Sequence, residues 1–214
     1  MVRVMVIPGL AVRAYVELPV RHLCDNGHDV KLLDPPAWRG VDHDLKRYGR
    51  KLAANIDHDG APVDVLIGLS VGTQAAAVTA SLTSLVRHLV LVSPTIDPAY
   101  RSMIKQAAVF LVRGDPHDKA AFFSQVPDWS RAGIRRIFRG FASAIALPIE
   151  DFLPDVRAEV TIIHTEYDLL TTHSYAAWLA ETNGARLVLM PGGSHSWPKA
   201  DSARSLRFIE ELGS

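Results

Sequence analysis

The 214-residue chain is 48% hydrophobic and 21% charged, which is enough apolar material for one sizeable core and too much for a disordered chain. Lys+Arg and Asp+Glu both number 23, so no global field favours nucleic acid or an anionic membrane; a small, mostly apolar or neutral substrate fits better than a polyanion. The single cysteine, Cys24, cannot form an internal disulfide; it lies in an apolar-periodic stretch and reads as an inert core thiol, compatible with a reducing compartment.

The apolar opening, Met1 to Leu10, is broken by Pro8-Gly9 before an h-region followed by a small-residue cleavage site could form. No later stretch reaches about 18 uninterrupted apolar residues, so no membrane span is expected and a cytoplasmic protein is. Thereafter one pattern repeats: a short run rich in Val, Ile and Leu, then Gly or Pro, then a segment with helical spacing. Val2 to Ile7 is the first strand, followed by a helix from about Val12 to Asn26. Asp29 to Leu33 is the second, closed by Asp34-Pro35-Pro36, with Asp42 to Ile56 as its helix. Val63 to Ile67 precedes an Ala-rich helix over Thr73 to Ser81, and Arg87 to Val92 is the fourth strand. Val160 to His164 is the fifth, with a helix around Ser174 to Thr182. Arg186 to Met190 is the sixth, and Asp201 to Leu212 is a final amphipathic helix with Asp201 as a candidate N-cap. Short, nearly continuous aliphatic strands alternating with helices specify a doubly wound α/β fold around a mainly parallel six-stranded sheet.

About sixty residues, 97–156, separate the fourth and fifth strands where one helix would suffice. Ile134, Ile137, Phe138 and Phe141 recur there at helical spacing, with Arg131, Arg135, Arg136 and Arg139 mostly between them. This is a helical insertion within a single domain. Its place at the C-terminal side of the strands, where ligands of open α/β sheets bind, predicts a lid; a packing appendage with a solvated Arg face is the plainer alternative.

The third strand runs into Gly68-Leu69-Ser70-Val71-Gly72, a G-x-S-x-G pattern with a helix directly after it. A serine hydroxyl is a weak nucleophile and needs exposure, a nearby base and donors for the oxyanion that forms. A sharp strand-to-helix turn supplies that setting: the strained backbone lifts the hydroxyl above the sheet, the flanking glycines avoid collisions, and the helix N-terminus faces the developing charge. The pattern by itself arises by chance fairly often; the strand before it and the helix after it give it weight.

An acid and a histidine should follow in that order. The fifth strand ends in His164-Thr165-Glu166-Tyr167-Asp168, and the sixth in Pro191-Gly192-Gly193-Ser194-His195-Ser196-Trp197-Pro198. Of nine histidines, His195 alone combines a Gly-rich loop, the right chain order and the right end of the sheet. Asp168 is the favoured acid, with Glu166 beside it and Asp97 past the fourth strand as competitors. Chemistry by a serine, a histidine and an acid needs no metal or organic cofactor, and consistently the sequence contains no H-E-x-x-H, no paired C-x-x-C and no G-x-x-x-x-G-K-[ST].

Strand order, the turn at Ser70, an acid after the next-to-last strand and a histidine after the last resemble the α/β-hydrolase superfamily over nearly the whole chain. The resemblance implies a serine hydrolase of carboxylesterase or thioesterase type, with Ser70, His195 and Asp168 as its triad and the amides of Leu10 and Val71 as oxyanion donors. It also implies that the first one or two strands of larger members are missing, and it makes Gly9, Leu69, Phe138 and Trp197 candidate substrate contacts. The oxyanion loop departs from the common His-Gly start, reading Pro8-Gly9-Leu10, and Thr165 stands where many relatives carry glycine. The expected partner is a small acyl substrate, with neither nucleic acid nor membrane, and both monomer and homodimer are compatible. The competing class is a ligand-binding module that keeps the fold with a silent triad; lactonases, C–C hydrolases and cofactor-free catalysts share the same constellation.

Overall fold

The computed structural model describes residues 1–105, 119–168, 170–192, 195 and 211, with the backbone alone for 119–124. Six strands form one wholly parallel sheet: β1 (Arg3–Ile7), β2 (Asp29–Leu32), β3 (Val63–Leu69), β4 (Val86–Val92), β5 (Glu159–Thr165) and β6 (Arg186–Met190). Their spatial order is β2-β1-β3-β4-β5-β6. The alternation of side chains along each strand divides the core in two. Val4, Val6, Val65, Ile67, Val90, Val92 and Ile163 face α1 (Glu17–Asp25). Met5, Ile7, Leu66, Leu89, Leu91 and Ile162 face α2 (Leu45–Asp59), α3 (Gly72–Leu82) and a helix over His173–Thr182. The doubly wound parallel sheet is therefore as the sequence predicts.

The chain runs from β1 outward to β2, then returns past β1 to β3. Strand order thus reverses between β1 and β3, and the C-terminal ends of these strands are where ligands of open α/β sheets bind. The register pairs Ile7 with Gly68, which sets the loop after β1 beside the turn after β3.

Between β4 and β5 the described part of the insertion holds α4 (Lys119–Ala132), α5 (Ile134–Ile145) and three short 3-10 turns, Pro98–Tyr100, Ile149–Asp151 and Leu153–Asp155; the helix after β5 is accordingly α6 (His173–Thr182). Ile137 and Phe141 of α5 pack into a third core with Leu10, Ala11, Ala37, Val71, Ala132 and Ala144. The even apolar and Arg-rich faces read from the sequence are not so divided. Ile134 and Phe138 are exposed, while Arg136 donates to the carbonyls of Ala37, Trp38 and Val41 and so ties α5 to the loop after β2.

Two other expectations need correction. Cys24 is exposed: on α1 only Pro19 and Leu23 are buried, and the next position is turned about 100° away from that narrow stripe. The first helix starts at Glu17 rather than near Val12, because the amides of Arg13 and Ala14 are held by a distant carboxylate, Asp128. The predicted final helix lies outside the described residues apart from Glu211, as does Trp197. Among the described residues no helix is long and apolar enough to cross a membrane.

Candidate active site

Ser70 follows β3 with φ at 52°, the left-handed region that costs a non-glycine residue about 1–3 kcal/mol. The turn is held against that cost. The Ser70 amide extends the ladder to Val92 O at 2.9 Å, and both the amide and the hydroxyl of Thr73 donate to Ser70 O. Its glycines are required by space. A Cβ on Gly68 would stand 2.7 Å from Ala76 Cβ and from Thr73 Cα, and one on Gly72 would meet Ile7 O at 2.6 Å. The two loops approach so closely that only hydrogen fits between them.

Side chains from three distant parts of the chain meet at this rim. His195 Nε2 lies 2.9 Å from Ser70 Oγ, and His195 Nδ1 lies 3.0 and 3.1 Å from the two carboxylate oxygens of Asp168. The Asp168 side chain is fully buried and that of His195 is 16% exposed. Burial by itself pushes the Asp168 carboxyl up. The charge and hydrogen bond of His195, the Ser93 hydroxyl and the Thr171 amide outweigh it and hold the group down to about 2. Ser93 acts by proximity, since its Oγ makes no hydrogen bond of ordinary geometry. The Leu170 and Thr171 amides both donate to Asp168 Oδ1, fixing the carboxylate from behind.

The competing acids are otherwise engaged. Asp97 accepts from the Thr172 hydroxyl and the Ala99 amide, and Glu166 accepts from the Gly192 amide. His164, next to last in β5, is buried, with its pKa lowered by burial despite the opposing charge of Asp168. His88 lies at the far end of β4, with Nε2 2.9 Å from Thr161 Oγ1.

Among the described residues neither the Leu10 nor the Val71 amide donates a hydrogen bond, although those of Gly9, Ala11 and Ser70 do. Val71 opens the first turn of α3, where amides have no partner within the helix. Gly9 flanks the same space: a Cβ there would lie 3.5 Å from Ser70 Cβ and 3.0 Å from the Tyr15 hydroxyl. Leu69 is buried in the core on the α1 side, and Phe138 is 54% exposed on the insertion. Tyr15, whose hydroxyl accepts the Gly9 amide at 2.8 Å, carries no sequence signal of this contact; it falls in a stretch with helical spacing.

Fold and site together define a doubly wound α/β protein of the hydrolase type. The chain belongs to the alpha/beta hydrolase family, which it matches over residues 4–204. Among solved structures it is similar to a hydrolase from Oleispira antarctica, with a TM-score of 0.81 at 13% identity over 100% of this chain and 91% of that one. It is also similar to an esterase from Exiguobacterium antarcticum, with a TM-score of 0.74 at 16% identity over 100% and 92%. A bromoperoxidase from Bacillus anthracis gives a TM-score of 0.74 at 16% identity over 99% and 92%. At such identities the likeness is one of fold, and the chemistries named for these structures differ. No curated protein sequence matches the chain.

Proposed function

We propose that the chain is a serine hydrolase that cleaves a carboxylic ester or thioester of a small, largely apolar acyl group. The observation that carries this reading is the continuous contact from Ser70 Oγ through the His195 ring to the Asp168 carboxylate. His195 Nε2 takes the hydroxyl proton as Ser70 Oγ bonds to the carbonyl carbon, and Asp168 holds the ring's other nitrogen as the donor and balances its charge. The carbonyl oxygen, now negative, receives the free amides of Leu10 and Val71. Collapse of the tetrahedral intermediate breaks the bond to the alkoxide or thiolate, which leaves with the proton from His195. Water then gives a proton to the same ring as its oxygen bonds to the acyl carbon; the bond from that carbon to Ser70 Oγ breaks, His195 returns the proton to Ser70 Oγ, and the carboxylic acid is released. The near-zero net charge supports a neutral substrate, a single cysteine suits a cytoplasmic setting, and the insertion at 97–156 is read as the lid over the acyl pocket.

A fluorophosphonate probe and an activated ester such as p-nitrophenyl acetate test this directly. The parent protein is expected to be labelled once, at Ser70. Ser70→Ala should lose labelling and lower ester turnover by at least about a thousandfold while its circular dichroism and melting temperature stay near the parent's. A folded parent that takes no label sinks the reading in favour of a binding module. Turnover that survives Ser70→Ala sinks the acyl-enzyme route.

A further inference from the structure

The free amide of Leu10 sits in a loop whose other amides are almost all engaged. The Gly9 amide donates to the Tyr15 hydroxyl at 2.8 Å, Ala11 to Pro36 O at 3.0 Å, Val12 to Gly9 O at 3.5 Å and Val16 to Arg13 O at 3.0 Å. The amides of Arg13 and Ala14 converge on one carboxylate oxygen, Asp128 Oδ2, at 2.8 and 3.0 Å. Asp128 belongs to α4 of the insertion, more than a hundred residues along the chain, and is only 6% exposed. Its second oxygen faces Arg131 at 3.6 Å. No regular element fixes this loop: Ala11 takes a φ of 58°, and α1 has no side-chain cap of its own. The direction of the Leu10 amide therefore depends on what grips the loop to either side.

Part of that grip comes from the insertion. The Leu10 side chain lies against Gly140 of α5, where any Cβ would collide with it, and both Leu10 and Val71 belong to the third core. A buried carboxylate receiving two amides makes charge-assisted bonds, which are stronger and more directional than bonds to a neutral oxygen. We infer that Asp128 is a positioning residue that acts through the backbone at Arg13 and Ala14 to aim the Leu10 amide at the oxyanion. In this view the insertion builds part of the catalytic machinery instead of only covering it. The inference rests on the assignment of Ser70 as nucleophile, and it predicts a loss in the chemical step rather than in substrate binding.

The full-length chain and its Asp128→Ala and Asp128→Asn variants decide the matter. Saturating fluorophosphonate labelling counts competent serines, and kcat for p-nitrophenyl acetate is expressed per labelled site. Asp128→Ala is expected to label fully but slowly, with kcat per site reduced about 10- to 100-fold and KM within about twofold, less than the loss of a whole oxyanion donor. Asp128→Asn keeps an acceptor oxygen without the charge, and should restore part of the activity, leaving kcat about 3- to 10-fold below the parent. Should Asp128→Ala fail to fold, Asp128→Asn decides alone. A purely structural role would lower the labelled fraction or the melting temperature but leave kcat per site at the parent value, and that result overturns the inference. A parent labelled at Ser70 with indifferent variants removes the positioning role alone; an unlabelled parent removes the hydrolase reading together with it.

Discussion

Three carboxylates stand near the rim, and their partners separate them. Asp168 faces His195, while Asp97 and Glu166 accept from Thr172 and Gly192. Chain order alone left all three open, because the choice is made by loop backbone that turns one side chain toward an imidazole contributed 27 residues later. The environment of Asp168 has a consequence for stability. Its folded-state pKa of about 2 lies below the ordinary carboxylate value of 3.8, so folding favours the ionised form. The contribution, on the order of 2 kcal/mol, is fully present above about pH 4 and is lost as the pH falls through about 2. Urea midpoints taken between pH 5 and pH 2 should therefore drop more steeply for the parent than for Asp168→Asn, which has no carboxylate to protonate. Parallel slopes would mean that the pair with His195 contributes nothing to the acid limb.

At the scale of elements, the turn joining β3 to α3 was the most legible part of the chain, because its signals are local: an aliphatic strand, two glycines around a serine, and an Ala-rich helix. The start of α1 was not, since Arg13 and Ala14 are drawn out of the helix by Asp128, and no property of residues 12–16 announces a partner 115 positions away. The exposure of Cys24 was hidden for a related reason, as apolar periodicity does not tell how wide a stripe the sheet will cover. The glycines of this turn can be tested in isolation. A Cβ at Gly68 meets Ala76 Cβ, Thr73 Cα and Gly72 O, two of them backbone atoms that cannot rotate aside. Gly68→Ala should cost about 1–3 kcal/mol. For a chain of this size that is a fall in melting temperature of about 3–10 °C by calorimetry, and an unchanged melt would show that strand and helix are less tightly joined than their spacing implies.

Across the whole molecule, the candidate site stands where three cores meet, and the sheet orders their stability. β1, β3, β4 and β5 have neighbours on both sides, whereas β2 and β6 are edges, β2 with no fully buried residue and β6 with Met190 alone buried. Ser70 directly follows β3, which is seven residues long and buried at every position but Asp64, so its placement costs the site no local order. Amides of elements with the most buried contacts open only when the whole domain unfolds, and edge elements open earlier. Native-state hydrogen exchange read by mass spectrometry should give β3 and β4 the slowest exchange, with β2 at least about tenfold faster. The insertion supplies the sharper comparison. If α5 is built into the fold through the Gln74 amide on the Ala144 and Leu147 carbonyls and through Arg136 on the loop after β2, its amides should exchange closer to those of α3 than to those of β2. An α5 that exchanges as fast as β2, in a protein whose β3 is fully protected, would describe a flap resting on the site and would leave the loop after β1 without support from the insertion.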